Sequence, residues 1–220
     1  MQDITVSTVL KEKVPHINLS CIECDVQPEE KNNELWDEIQ NKINELSLKL
    51  KVGEISRIPA ISASRRAYRA CGKDPARYRL SAEALLRRTV KQYEIYQINN
   101  VVDLLNLVSI STGFSIGGYD PDKINGDIIF GIGENNEPYR GIGRGALNIE
   151  NLPVFRDKTG AFGTPTSDSV RTSVNLQTKR FLMIIVGFDK ALQIKEATDF
   201  AVQLLKKYAH AANFQFKIID

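Results

Sequence analysis

The chain has 220 residues, 42% hydrophobic and 25% charged, the balance of an ordinary folded protein rather than a disordered or fibrous one. No run approaches the roughly 18 consecutive apolar residues of a membrane span, residues 1–10 lack a basic-then-apolar leader, and three cysteines do not make a disulfide framework, so a cytoplasmic setting without membrane contact is expected. The net charge of +2 conceals a block: from Arg57 to Lys91 ten basic residues stand against two acids, Asp74 and Glu83, which leaves the remainder at −6.

Residues 17–26, INLSCIECDV, are β-branched and alternating enough for a strand, closed by Pro28. Cys21 and Cys24 form a lone CxxC inside it. Positions three apart on a strand point to opposite faces, so no metal site is expected there. From Glu29 the pattern turns helical, with Leu35, Ile39, Ile43, Leu46 and Leu50 on one face and the end near Gly53. The basic block holds two further helices, one opened by Pro59 and closed at Gly72, the other running from Ser81 to about Lys91.

Two readings of that block stand side by side. Clustered arginine with Tyr68 and Tyr78 interleaved is the footprint of a phosphate-backbone binder, with Arg65, Arg66, Arg69, Lys73, Arg77 and Arg79 as the contacts. Alternatively, Glu29, Glu30, Glu34, Asp37, Glu38 and Glu45 upstream neutralise it within the fold.

Residues 98–120, INNVVDLLNLVSISTGFSIGGYD, pair a nearly all-apolar helix with a glycine-rich elbow. Asn99, Asp103 and Asn106 recur at helical spacing and form a polar stripe on a helix that is otherwise buried. Such groups need partners, and the stripe either ties a neighbouring loop to the core or lines a pocket. Residues 126–133 and 138–143 then read as a hairpin around Glu134–Glu137. The glycines of GIGRG suit a bent sheet better than a phosphate loop, because no helix pattern follows Gly145. Residues 157–172 crowd hydroxyls beside Asp168 and Arg171; turn chemistry alone selects those residue types, and so does a loop that holds a carboxylate, phosphate or ribose. A serine hydrolase is poorly supported, since His16 and His210 are the only histidines and neither lies in this loop. A strand, helix and strand finish the chain. The expected architecture is one globular unit of mixed α and β, with an N-terminal strand and amphipathic helix (1–56) packed on a core domain (57–220).

The runs INNVVDLLNLVSISTGFSIGGYDPDKINGDI and GAFGTPTSDSVRT together resemble the B3/B4 domain of the phenylalanyl-tRNA synthetase beta subunit, and YRACGKDPARYRLSAEALLRR looks like its free-standing members. The resemblance covers about residues 57–188. It implies an α+β fold, a layered mixed sheet with flanking helices; in the synthetase, this domain hydrolyses phenylalanine tRNA wrongly charged with tyrosine. Where the synthetases carry a histidine this chain has Gly117, and the glutamate that reads the tyrosine hydroxyl falls near Pro165 or Thr166. The resemblance thus implies a module for aminoacyl-tRNA, or a related aminoacyl compound, that edits in trans without a cofactor. Asn100, Asp103 and Asn106 set the helix and elbow. Gly117, Gly118, Tyr119 and Asp120 form the approach to the ester, and Gly163, Thr164, Thr166, Ser167, Asp168, Ser169, Arg171 and Thr172 hold substrate. The competing readings are a non-catalytic binder of an amino acid or small metabolite on the same scaffold, and an interaction module whose basic face meets an acidic protein.

Overall fold

Two four-stranded sheets share a core, and helices cover the outer side of one of them. In a computed structural model describing residues 1–192 and 194–220, the strands are β1 (Ile4–Val6), β2 (Asn18–Asp25), β3 (Ser115–Tyr119), β4 (Ile128–Ile132), β5 (Arg140–Gly141), β6 (Gly145–Ala146), β7 (Pro153–Asp157), β8 (Gly160–Gly163), β9 (Arg180–Gly187) and β10 (Ala212–Ile219). The helices are α1 (Thr8–Lys13), α2 (Asn33–Lys49), α3 (Pro59–Ala70), α4 (Ser81–Val90), α5 (Asn100–Thr112) and α6 (Ile194–Tyr208). One sheet runs β1-β4-β7-β8 and the other β10-β2-β9-β3. The architecture is α+β.

Strand β9 shows why the layers form. Phe181, Met183 and Ile185 enter the core beneath the helices, while Leu182, Ile184 and Val186 enter the core between the sheets. A continuous apolar run is what a strand buried on both faces requires. The same alternation separates the cysteines of β2, since Cys21 belongs to the inter-sheet core and Cys24 to the helix-side core. Burial pushes both thiols up to about 12. Because β1 joins the first sheet and β2 the second, the first 56 residues are threaded through both layers. At the other end β9 and β10 flank β2, each antiparallel to it, with α6 crossing between them.

The hairpin expected from 126–133 and 138–143 does not form. Both edges of β4 are taken, by β1 and by β7. The following segment is drawn elsewhere: Tyr139 is buried, Gly141 bridges Ser169, and a small β5–β6 hairpin forms instead.

Helix α5 lies at the junction of these layers. Asn99 caps its start by accepting a hydrogen bond from the Val102 N–H (3.0 Å), and Gly113, left-handed at φ 79°, closes it. Its polar groups differ in use. The Asn100 Oδ1 accepts from the Glu29 N–H (2.8 Å), and its Nδ2 donates to Gln27 O (3.1 Å) and Tyr208 O (2.7 Å), joining the end of α6 and the approach to α2 to one helix. Asp103 accepts from the Ile98 N–H (3.0 Å) and the Trp36 Nε1–H (3.1 Å). Truncation of Asn100 leaves these backbone groups unpaired at a buried site. Asn100→Ala is expected to lower stability by about 3 kcal/mol, read as a reduced urea midpoint with an unchanged slope.

Candidate ligand cavity

A cavity of about 340 Å³ lies where α5, β3 and the loop after β8 meet. Helix α5 contributes Val102, Leu105, Asn106 and Ser109, one face by their spacing. Strand β3 contributes Ile116 and Gly118, two apart and therefore on one side. The loop brings Asp168, Val170, Ser173 and Val174; Ser81 and Leu85 of α4, with Ile98 and Ile142, complete the wall. The wall is mostly apolar, and among the described residues Asp168 is its one ionisable group. Another hollow, between α2 and residues 92–97, is lined by none of these elements.

Three phenols hold the loop in place. The Tyr119 hydroxyl donates to Asp168 Oδ1 (2.8 Å), the Tyr139 hydroxyl donates to Ser167 O (2.6 Å), and the Tyr68 and Thr166 hydroxyls bond each other at 2.9 Å. Thr164 ties the turn internally, its Oγ1 accepting from the N–H groups of Thr166 (3.1 Å) and Ser167 (3.0 Å). The Ser81 N–H at the start of α4 donates to Pro165 O (2.8 Å). Strand β3 is the edge of its sheet, and the loop covers part of that edge: the Gly118 N–H donates to Asp168 Oδ2 (3.4 Å) and the Asp120 N–H to Thr172 O (2.9 Å). The two-residue period of a strand turns the N–H and C=O of Ile116 to the same edge, at the cavity wall.

Gly117 and Gly118 lie within β3, not on an elbow, and they serve different sides. A Cβ on Gly117 or on Gly163 would overlap the Tyr119 hydroxyl, so both glycines make room for that ring in the inter-sheet core. The space into which a side chain at position 117 would project is thus filled by Tyr119. A Cβ on Gly118 would stand 2.7 Å from Leu105 Cδ1, on the cavity side.

Burial pushes the Asp168 carboxyl up to about 7, opposed by the hydrogen bonds from Tyr119, Gly118 and Thr164. Burial likewise lifts Asp103 to about 6, against the hydrogen bonds from Ile98 and Trp36. Tyr119 is held well above the usual phenol range by burial and by the Asp168 carboxylate.

The B3/4 domain family matches residues 63–210, about two thirds of the chain. The chain belongs to that family. A search of curated proteins returns no match. Among solved structures, the chain is similar to an N-terminal fragment of the phenylalanyl-tRNA synthetase beta subunit from Pyrococcus horikoshii, with 14% identity and a TM-score of 0.49 over 99% of this chain and 50% of that one. The chain therefore spans about half the length of that fragment. Every residue of the cavity wall, from Ser81 to Val174, falls inside the B3/4 match.

Within this B3/4 domain the structure disperses several of the residues singled out in the sequence. Asp120 caps the turn at 121–123, accepts from Thr178 Oγ1 (2.8 Å) and pairs with Lys123 (3.1 Å). Arg171 is held by both carboxylate oxygens of Asp157 at 2.9 Å, and Ser169 caps the Arg171 N–H at 3.3 Å. The Arg171 guanidinium is therefore committed within the fold, away from the cavity wall. Thr172 is fully buried. His16 and His210 are exposed and neither lines the cavity. Val102, Leu105 and Ser109 were legible as the helical neighbours of Asn106, whereas Ser81 and Ile142 reach the cavity only through long-range folding.

Three arginines of the basic block converge on one of its own two acids. Glu83 is fully buried and meets Arg65 Nη1 at 2.8 Å, Arg87 Nη2 at 3.0 Å and Arg79 Nε at 4.0 Å. The upstream acids expected to do this are engaged elsewhere, Glu45 with Lys42 and Lys49, and Glu34 and Glu38 with Lys207. Their helix α2 turns those charges to solvent and toward α6. Lys73 is buried, donating to Asn148 O and Glu150 O with its ammonium 3.9 Å from the Tyr78 ring centroid, and Arg66 pairs with Asp189 at 3.1 Å. Arg66, Arg69, Arg77 and Arg79 remain on the exposed surface.

Two outcomes follow. A carbon-13 NMR titration should place Asp168 near pH 7, and Tyr119→Phe, which removes a bond favouring the carboxylate, should move it higher. Because this folded-state value is raised, ionising Asp168 costs stability as pH climbs from about 4 toward 7. Glu83→Ala strands three guanidinium groups and is expected to destabilise the chain by about 3 kcal/mol, at the low end for a buried pair because the arginines retain some solvent.

Proposed function

We propose that this B3/4 protein uses the cavity to hold the aminoacyl part of an aminoacyl-tRNA or a related aminoacyl compound, and that it hydrolyses a mischarged ester in trans in the cytoplasm. The observation that supports this best is the meeting of Asn106, the Ile116 backbone edge and Asp168 around one cavity within the family-matched stretch. Its volume lies in the range of roughly 300–1,000 Å³ usual for small-ligand sites. Ester hydrolysis needs a positioned water and donors at the developing oxyanion, and preorganised backbone N–H groups stabilise that charge without a full catalytic triad. The exposed Arg66, Arg69, Arg77 and Arg79 supply a face for the phosphates of a bound tRNA.

A second reading, a non-catalytic binder of an amino acid or small metabolite, is favoured by the mostly apolar wall and by the distance of both histidines from it. A panel of mischarged tRNAs separates the two. The leading reading expects deacylation above the buffer rate, with binding that weakens steeply as salt rises and a shallower salt slope when Arg66, Arg69 and Arg77 are neutralised. Absence of both deacylation and salt-sensitive binding overturns it, and calorimetric binding of small ligands without tRNA would then establish the second.

A further inference from the structure

We propose that Asp168 imposes a charge rule on the cavity, which admits ligands bearing a protonated amine and a blocked carboxyl group and rejects free carboxylates. The inference rests on the reading of the cavity as an aminoacyl site and names which aminoacyl compounds it takes.

Among the described residues, no lysine, arginine or histidine lines the wall. Arg171, three residues from Asp168 in sequence, is held by Asp157 through two bonds of 2.9 Å. Asp168 receives only neutral donors, the Tyr119 hydroxyl and the backbone of Gly118 and Thr164, so no protein cation offsets its charge. A carboxylate in an apolar wall is costly until a counter-charge arrives, and a ligand ammonium is that counter-charge. A free amino acid brings its own carboxylate as well. That second anion would sit within one small enclosure beside Asp168, with no cation to meet it, and like charges at such range repel strongly where water is scarce. Esterification or amidation removes the penalty and leaves the amine. Asn106 lines the α5 wall, and its amide is the group there that can pair with the neutral carbonyl that remains. Free amino acids, the most abundant competitors of an aminoacyl ester, are thereby excluded by charge rather than by shape.

Calorimetric titration of the full chain with leucinamide, phenylalaninamide and tyrosinamide, with the three free amino acids, and with the three N-acetyl amides tests this directly. The side chain that fits best should bind as its amide about tenfold or more tightly than as its free acid or its N-acetyl amide. Asp168→Asn should erase the difference between amide and N-acetyl amide. Tyr119→Phe, which makes the carboxylate harder to form, should narrow that difference without erasing it. Free acids or N-acetyl amides that bind the unaltered chain as tightly as the amides overturn the charge rule while leaving the aminoacyl cavity in place. If none of the nine compounds binds, the reading of the cavity itself fails.

Discussion

The hydrogen bond from the Tyr119 hydroxyl to Asp168 joins the inter-sheet core to the cavity wall, and much of the local design follows from it. The ring needs space, which Gly117 and Gly163 provide by having no side chain. Its hydroxyl needs an acceptor, and a carboxylate from the loop is drawn over the free edge of β3 to supply one. The edge strand gains cover, the loop gains an anchor, and the carboxylate ends beside an apolar hollow. Tyr68 and Tyr139 repeat the device from α3 and from the segment before β5, so a hydroxyl-rich loop that turn chemistry alone would leave loose is held from three directions.

Charge is handled with similar economy in the basic block. A surplus of arginine is commonly taken as a surface for nucleic acid, yet Arg65, Arg79 and Arg87 converge on Glu83, a residue of the same block. The pairing is geometrically natural: Glu83 and Arg87 are four apart on α4, Arg79 lies four before, and α3 brings Arg65 across. What remains exposed is a smaller set, Arg57, Arg66, Arg69, Arg77, Arg79 and Lys91. The charge presented to solvent is therefore smaller than the block's composition suggests.

Helix α5 divides its polar groups between fold and cavity in a way that the stripe itself does not disclose. Asn100 and Asp103 hold the strands of chain around them, and Asn106, a turn further on, faces the hollow. Both roles arise from one periodicity, because neighbouring turns of a single helix face meet different surroundings: packed loops at its start and open space at its middle.

The amino-acid sequence by itself determined the elements with strong local signals. The apolar run of β9, the nearly all-apolar helix α5, the paired basic helices and the B3/B4 resemblance could all be read from residue order, since periodicity and turn chemistry act over a few residues; that Asn99 caps α5, and does not belong to its stripe, emerged with the structure. The opposite placement of Cys21 and Cys24 was legible for the same reason. Tertiary structure alone decided which polar residues reach the cavity. Arg171 and Asp120 look as available as Asp168 in the chain, but Asp157 and Thr178, from other elements, claim them. The expected hairpin after β4 failed on similar grounds, because β1, more than 120 residues earlier, had already taken one edge of that strand. Partners contributed from afar decide which side chains are consumed and which are left facing a ligand, and local pattern carries no record of them.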